Sequence, residues 1–203
     1  MKRVRPFYLI LFVMLCASKA LAQTVTGTVA TGQGPPAVTI NPVTNKIYVV
    51  NQGTPTSTVT VIDGATNTTA TVAAGNNALA VAANPVTNKI YVANQYGSDV
   101  TLIDGATNAT TTVPAGSNPT AVAVNPVTNK IYVGNYNSSN VTVIDGATNA
   151  ITTVPAGLSP HAVAVNPVTN HIYVLNRSSN NVTVIDGATN ATTTVAAGAI
   201  PGI

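Results

Sequence analysis

Proton transfer, glycoside cleavage and metal binding draw on carboxylates and imidazoles, and this 203-residue sequence holds few of either: Asp63, Asp99, Asp104, Asp145, Asp186, His161 and His171. A glycosidase pair must hold its carboxyl groups about 5 to 9.5 Å apart. Asp99 and Asp104 are separated by residues with the composition of a β-strand, which sets them roughly 17 Å apart. The other aspartates recur in the phrase IDGATN at intervals of 41 residues, so they fall on separate copies and do not converge. Asp before Gly in a tight reversal caps backbone amides, and that role is expected here in preference to cation binding. Ser159, Pro160 and His161 share one segment without a placed acid, which is no nucleophile triad. His171 stands where the other copies carry Lys46, Lys89 and Lys130, a solvated substitution. No catalytic residue, metal site or cofactor is expected, and the chain reads as a non-enzyme. The sequons at Asn67, Asn108, Asn140 and Asn190 are what an Asn- and Thr-rich composition produces by chance; they matter only if the host modifies exported asparagine.

These residues sit on a repeated unit. NPVTN opens at Asn41, Asn84, Asn125 and Asn166, and IDGATN carries its aspartates at Asp63, Asp104, Asp145 and Asp186. A period of this length fits a small supersecondary block that buries its apolar surface against copies of itself. Within the third copy, Ala121 to Val124, Ile131 to Gly134, Val141 to Ile144 and Ile151 to Val154 are β-prone runs separated by turn signals. Pro126 fixes φ in one turn and Asp145-Gly146 marks another. Each unit is therefore expected to be a four-stranded antiparallel meander. The runs AVAV and IYVG are apolar on successive residues, so both faces of each sheet need cover. Radial stacking into a β-propeller supplies it. A parallel β-solenoid has shorter rungs and no hairpin signals at this period. Blades are expected at about 36–75, 78–116, 119–157 and 160–198, after an orphan strand at 24–29.

The first 22 residues read as a secretory signal peptide: Lys2, Arg3 and Arg5 precede the apolar run Phe7 to Cys16, and Ala20-Leu21-Ala22 forms a cleavage site. That run is about half the length that spans a bilayer, so no stable membrane insertion is expected. Without the leader, Lys46, Lys89, Lys130 and Arg177 stand against five aspartates, a net charge of −1, and the footprint of a nucleic-acid binder is absent. The single cysteine, Cys16, belongs to the leader, so the exported chain, 23–203, must hold its shape by packing alone.

Each second strand carries Tyr, Val, a variable residue and Asn, at Tyr48 to Asn51, Tyr91 to Asn94, Tyr132 to Asn135 and Tyr173 to Asn176. With NPVTN before it and IDGATN after it, this pattern resembles the YVTN-repeat β-propellers over essentially all of Pro36 to Gly198. The third position is Val50, Ala93, Gly134 or Leu175 where the family name has Thr, a departure at a variable strand position. The resemblance implies a place among archaeal and bacterial surface-layer and exported proteins, usually in seven-bladed rings, and transfers no catalytic residues. Four blades of such a ring, with an unused leading strand, look like the first part of a longer propeller. An open fan is the expected state. A four-bladed ring and two chains joined into an eight-bladed ring are the alternatives, and the apolar end faces of a fan would promote self-association.

Comparison among the copies supplies the remaining functional signal. NPVTN and IDGATN barely vary and should project from one rim, whereas the second-to-third-strand and blade-to-blade loops vary and should project from the other. There the unusual side chains gather: Gln95, Tyr96, Asp99, Tyr136, Asn137, His161 and Arg177, a mixture of aromatic and hydrogen-bonding groups suited to recognition. Drift in unconstrained loops would leave the same trace. The reading is an exported cell-surface or periplasmic scaffold that binds a protein, glycan or envelope component through this rim. The alternative is a fragment of a propeller enzyme, lactonase-like or a dehydrogenase subunit, whose reactive groups lie on other blades.

Overall fold

A computed structural model describes residues 27–198. The leader at 1–22 lies outside the described residues, as do 24–26 of the expected orphan strand; Gly27, Thr28 and Val29 are described and form no strand. The chain then forms sixteen strands in four separate four-stranded antiparallel sheets, each in sequence order. Blade 1 contains β1 (Ala37–Asn41), β2 (Lys46–Asn51), β3 (Ser57–Asp63) and β4 (Thr69–Ala74); blade 2 contains β5 (Ala78–Asn84), β6 (Lys89–Asn94), β7 (Asp99–Asp104) and β8 (Thr110–Pro114). Blade 3 contains β9 (Pro119–Asn125), β10 (Lys130–Asn135), β11 (Asn140–Asp145) and β12 (Ile151–Pro155); blade 4 contains β13 (Pro160–Asn166), β14 (His171–Asn176), β15 (Asn181–Asp186) and β16 (Thr192–Ala196). The first strands β1, β5, β9 and β13 pack in succession and line the inside of the arc, as the inner strands of a β-propeller do.

The turns explain why these phrases recur. Asn45, Asn88, Asn129 and Asn170 end the first turn of each blade at φ of 52 to 54°, and Asn67, Asn108, Asn149 and Asn190 end the third at 59 to 61°. Asn tolerates this left-handed conformation better than most side chains do. In the third turn Asp63 Oδ1 accepts the amides of Ala65 and Thr66 at 2.9 and 3.0 Å and the Thr66 hydroxyl at 3.1 Å. Asp104 and Asp145 repeat all three bonds, and Asp186 accepts the two amides. The two turns of a blade are then tied together by Gly64 N–H donating to Asn45 O at 2.8 Å, a bond repeated in every blade.

The core lies between blades. Tyr48, Val50, Val59, Val61 and Val72 of blade 1 pack on Ile90, Val92 and Ile103 of blade 2, and equivalent clusters join blades 2 and 3 and blades 3 and 4. Alternate residues of each strand thus face opposite neighbours, which is why the strands read as continuously apolar. A polar ladder runs beside this core. Asn41 Nδ2 donates to Asn88 Oδ1 of the next blade at 2.9 Å, Asn84 to Asn129 at 2.8 Å and Asn125 to Asn170 at 2.9 Å. Lys46 Nζ donates to Gly105 O at 2.7 Å and Lys89 Nζ to Gly146 O at 3.2 Å. At the ends of the arc the matching faces are bare: Val38 and Ile40 are 64% and 54% exposed, and Tyr173, Leu175 and Val195 are 40%, 42% and 54% exposed.

Candidate functional site

Within each blade the fourth residue of the second-strand motif staples the sheet. Asn135 Nδ2 donates to Asn140 Oδ1 and Thr142 Oγ1 at 2.8 and 2.9 Å, and Thr142 Oγ1 also accepts the Gly116 amide from the loop before blade 3. This fixes the loop that follows β10. The first residue of that loop is then held by its own backbone: Gln95 N–H donates to Asn77 O at 3.0 Å, Tyr136 N–H to Asn118 O at 2.8 Å and Arg177 N–H to Ser159 O at 3.0 Å. Gln95, Tyr136 and Arg177 therefore occupy one template position in successive blades.

The inner strands deliver a second set. Pairing slips by one residue between Ala78 and Ala80, between Pro119 and Ala121, and between Pro160 and Ala162, so Leu79, Thr120 and His161 are bulged out of the ladder. A bulge re-aims a side chain. The two sets meet in a depression of about 250 Å³ at the variable end of the arc, lined by Leu79, Gln95, Asn118, Thr120, Tyr136, Asn137, His161 and Arg177. Because its walls come from the inner strands of three blades and the loops beside them, it sits at the mouth of the propeller axis.

Five of the seven residues expected on this rim thus share one site. Tyr136 and His161 stack edge to face, with ring centroids 6.4 Å apart and planes at 73°. Gln95 is held in a chain of amides: its Oε1 accepts from Asn77 Nδ2 at 2.7 Å and its Nε2 donates to Asn118 Oδ1 at 3.0 Å. Thr120 Oγ1 donates to Pro160 O at 2.9 Å, which ties blade 3 to blade 4. The Arg177 guanidinium, exposed at the edge, meets no carboxylate and makes no hydrogen bond among the described residues.

Tyr96 and Asp99 are not brought in. Tyr96 is 61% exposed and outside the depression. The Asp99 carboxylate accepts from Asn94 Nδ2 at 2.6 Å, the place Asn140 and Asn181 take in blades 3 and 4. It is part of the sheet staple. Asp99 and Asp104 stand at opposite ends of β7, so they form no carboxylate pair. Leu79, Asn118 and Thr120 were not anticipated. Template positions 36, 79, 120 and 161 hold Pro, Leu, Thr and His, and that four-way variation inside an otherwise repetitive strand was the available signal.

The opposite end has a depression of similar size, about 280 Å³, with Lys89, Asp104, Thr107 and Asn149 in its lining. Lys89 and Asp104 are already engaged there, whereas Asn149 Oδ1 is buried without a hydrogen-bond partner. Lys89 bonds Gly146 O, and the Thr107 and Ala106 amides and the Thr107 hydroxyl hold the Asp104 carboxyl below the usual carboxylate range. No group of three or more His, Cys, Asp or Glu suited to a metal ion occurs among the described residues.

No protein-family model matches the chain, and no curated protein matches it in sequence. Solved structures match it in shape. A Kuenenia stuttgartiensis hydrazine synthase structure superposes with a TM-score of 0.71 at 21% identity, over 86% of this chain and 53% of the other. The structure of U3-55K gives 0.71 at 10% identity, over 82% and 53%. An auxiliary nutrient binding protein from Bacteroides thetaiotaomicron gives 0.63 at 16% identity, over 80% and 41%. The chain therefore spans about half the length of these structures. At such identities the likeness concerns the fold, and the fold is that of β-propeller blades.

Proposed function

We propose that this chain is the blade array of an exported, YVTN-type β-propeller that binds a partner at the axis mouth on its variable end. The observation that carries the proposal is convergence. Gln95, Tyr136, Asn137, His161 and Arg177, from three different blades, surround one depression, and its only cation has no partner among the described residues. At the opposite end the Asn41, Asn84 and Asn125 amides and the Lys46 and Lys89 ammonium groups are bonded across blades. The nutrient binding protein among the structural neighbours is compatible with a binding role. A second reading, part of a propeller enzyme, is favoured by the half-length match: further blades would bring more side chains to the same axis.

Binding of the purified chain to envelope fractions tests the proposal. Arg177→Ala and Tyr136→Ala should each lose binding, while Lys130→Ala on the opposite end should bind like the parent. Loss confined to Lys130→Ala would assign function to the invariant end. Thermal melts on all three variants separate loss of binding from loss of fold.

A further inference from the structure

We infer that the axis-mouth depression takes an acidic sugar, a hexuronic acid unit whose carboxylate pairs with Arg177 and whose ring lies against Tyr136 and His161. This rests on the axis mouth being the binding surface. Arg177 is the one charged side chain lining the depression. A guanidinium presents a planar fork of donors matched to a carboxylate, and the pairing is strongest where no competing anion is near. Asp99, the acid on the same rim, lies outside the lining and accepts from Asn94.

The rest of the lining favours a sugar over a peptide. Leu79 is its only aliphatic side chain, so there is no apolar pocket of the kind that anchors a protein hot spot. The walls are instead amide and hydroxyl groups beside two aromatic rings set nearly at right angles. The Asn137 amide is free among the described residues, whereas the Asn118 Oδ1 and the Thr120 hydroxyl already bond Gln95 and Pro160. Amides and hydroxyls match the hydroxyls of a pyranose, and its C–H face matches an aromatic wall. Gln95 is locked by two amide bonds and serves as a rigid side of the site. At about 250 Å³ the depression is smaller than a drug-sized pocket, which suits a single ring of a longer chain.

Titration calorimetry of the full chain with trigalacturonate, its methyl ester and trialanine tests the assignment. The ester keeps the ring and removes the charge; trialanine keeps a carboxylate and removes the ring. The acid should bind at least about tenfold more tightly than either, the gap a charge-assisted pair provides. Arg177→Gln should bring the acid down to the ester, Tyr136→Ala should weaken both sugars, and Lys130→Ala should change neither. Equal binding of acid and ester, or trialanine matching the acid, overturns the assignment. So does an Arg177→Gln variant that keeps the preference. If no sugar binds while envelope fractions still bind in an Arg177-dependent way, the ligand class is wrong and the site stands; if neither binds, both fall.

Discussion

Truncating the same motif tyrosine at two places should give two different costs. Tyr132 is fully buried between blades 3 and 4, whereas its counterpart Tyr173, on the outer face of blade 4, is 40% exposed. Replacing a fully buried aromatic by Ala costs about 3 to 5 kcal/mol, from lost transfer energy and the cavity left behind. A tyrosine buries about 200 Å² when enclosed. Leaving about two-fifths of that area in water already forfeits roughly 2 kcal/mol at 25 cal/mol per Å², so Tyr173→Ala should cost only about 1 to 3 kcal/mol. Tyr132→Ala carries a further effect: in a stacked array each blade is stabilised by its neighbours, so weakening this interface should let blade 4 melt ahead of the rest. Urea denaturation at several protein concentrations reads both values, with a broadened transition expected for Tyr132→Ala. Equal costs at the two sites, or a midpoint for Tyr173→Ala that moves with protein concentration, would refute the reasoning. Either would mean that the outer face of blade 4 is covered in solution by other blades or by a second copy.

Three further outcomes are expected. The Tyr132 hydroxyl is buried without a hydrogen-bond partner, so Tyr132→Phe should leave stability unchanged or raise it by up to about 1 kcal/mol in the same denaturation assay. Burial, with a smaller push from the Asp145 carboxylate, raises Tyr91 from 10.0 to about 12. Because the folded state favours the protonated phenol, this contribution is complete below pH 10 and is lost as pH rises through 12; ultraviolet titration should show Tyr91 ionising late and the melting temperature falling across that window. Asn135→Ala, which removes two hydrogen bonds to β11, should cost about 1 to 3 kcal/mol, whereas Asn137→Ala in the exposed loop should cost under about 0.5 kcal/mol by thermal melt.

The blades were legible because their determinants are local. Val, Ile and Thr runs make strands wherever they pair, and NPVTN and IDGATN carry their own turn chemistry, visible in the Asp63 bonds to Ala65 and Thr66. The proposed binding surface was legible only in part. Tyr136, His161 and Arg177 stood out by residue type, but Leu79 and Thr120 look like ordinary strand residues; the bulge that turns them to the axis is a property of the register between β5 and β6 and between β9 and β10. Asp99 misled for the converse reason. It is the one acid outside the repeated phrase, yet its carboxylate does the work that an asparagine amide oxygen does in blades 3 and 4.

The two ends differ in what a substitution costs the fold. At the invariant end, changing Asn84 removes the bond to Asn129, and changing Lys89 removes the bond to Gly146, so stability holds the copies alike. At the variable end Arg177, Asn137 and His161 have no side-chain hydrogen-bond partner among the described residues, so substitution there is nearly free energetically. Free positions accumulate unusual side chains with or without a ligand. The array brings the same two template positions of each blade, that of Gln95, Tyr136 and Arg177 and that of Leu79, Thr120 and His161, to the axis mouth, so unlike side chains at those positions face one another. Tyr96 is exposed outside the depression, whereas Tyr136, Asn137, His161 and Arg177 lie around it with an edge-to-face aromatic pair at its wall. The residues that cost the fold least to change thus lie where one ligand could touch several of them, and the proposed binding role rests on that arrangement.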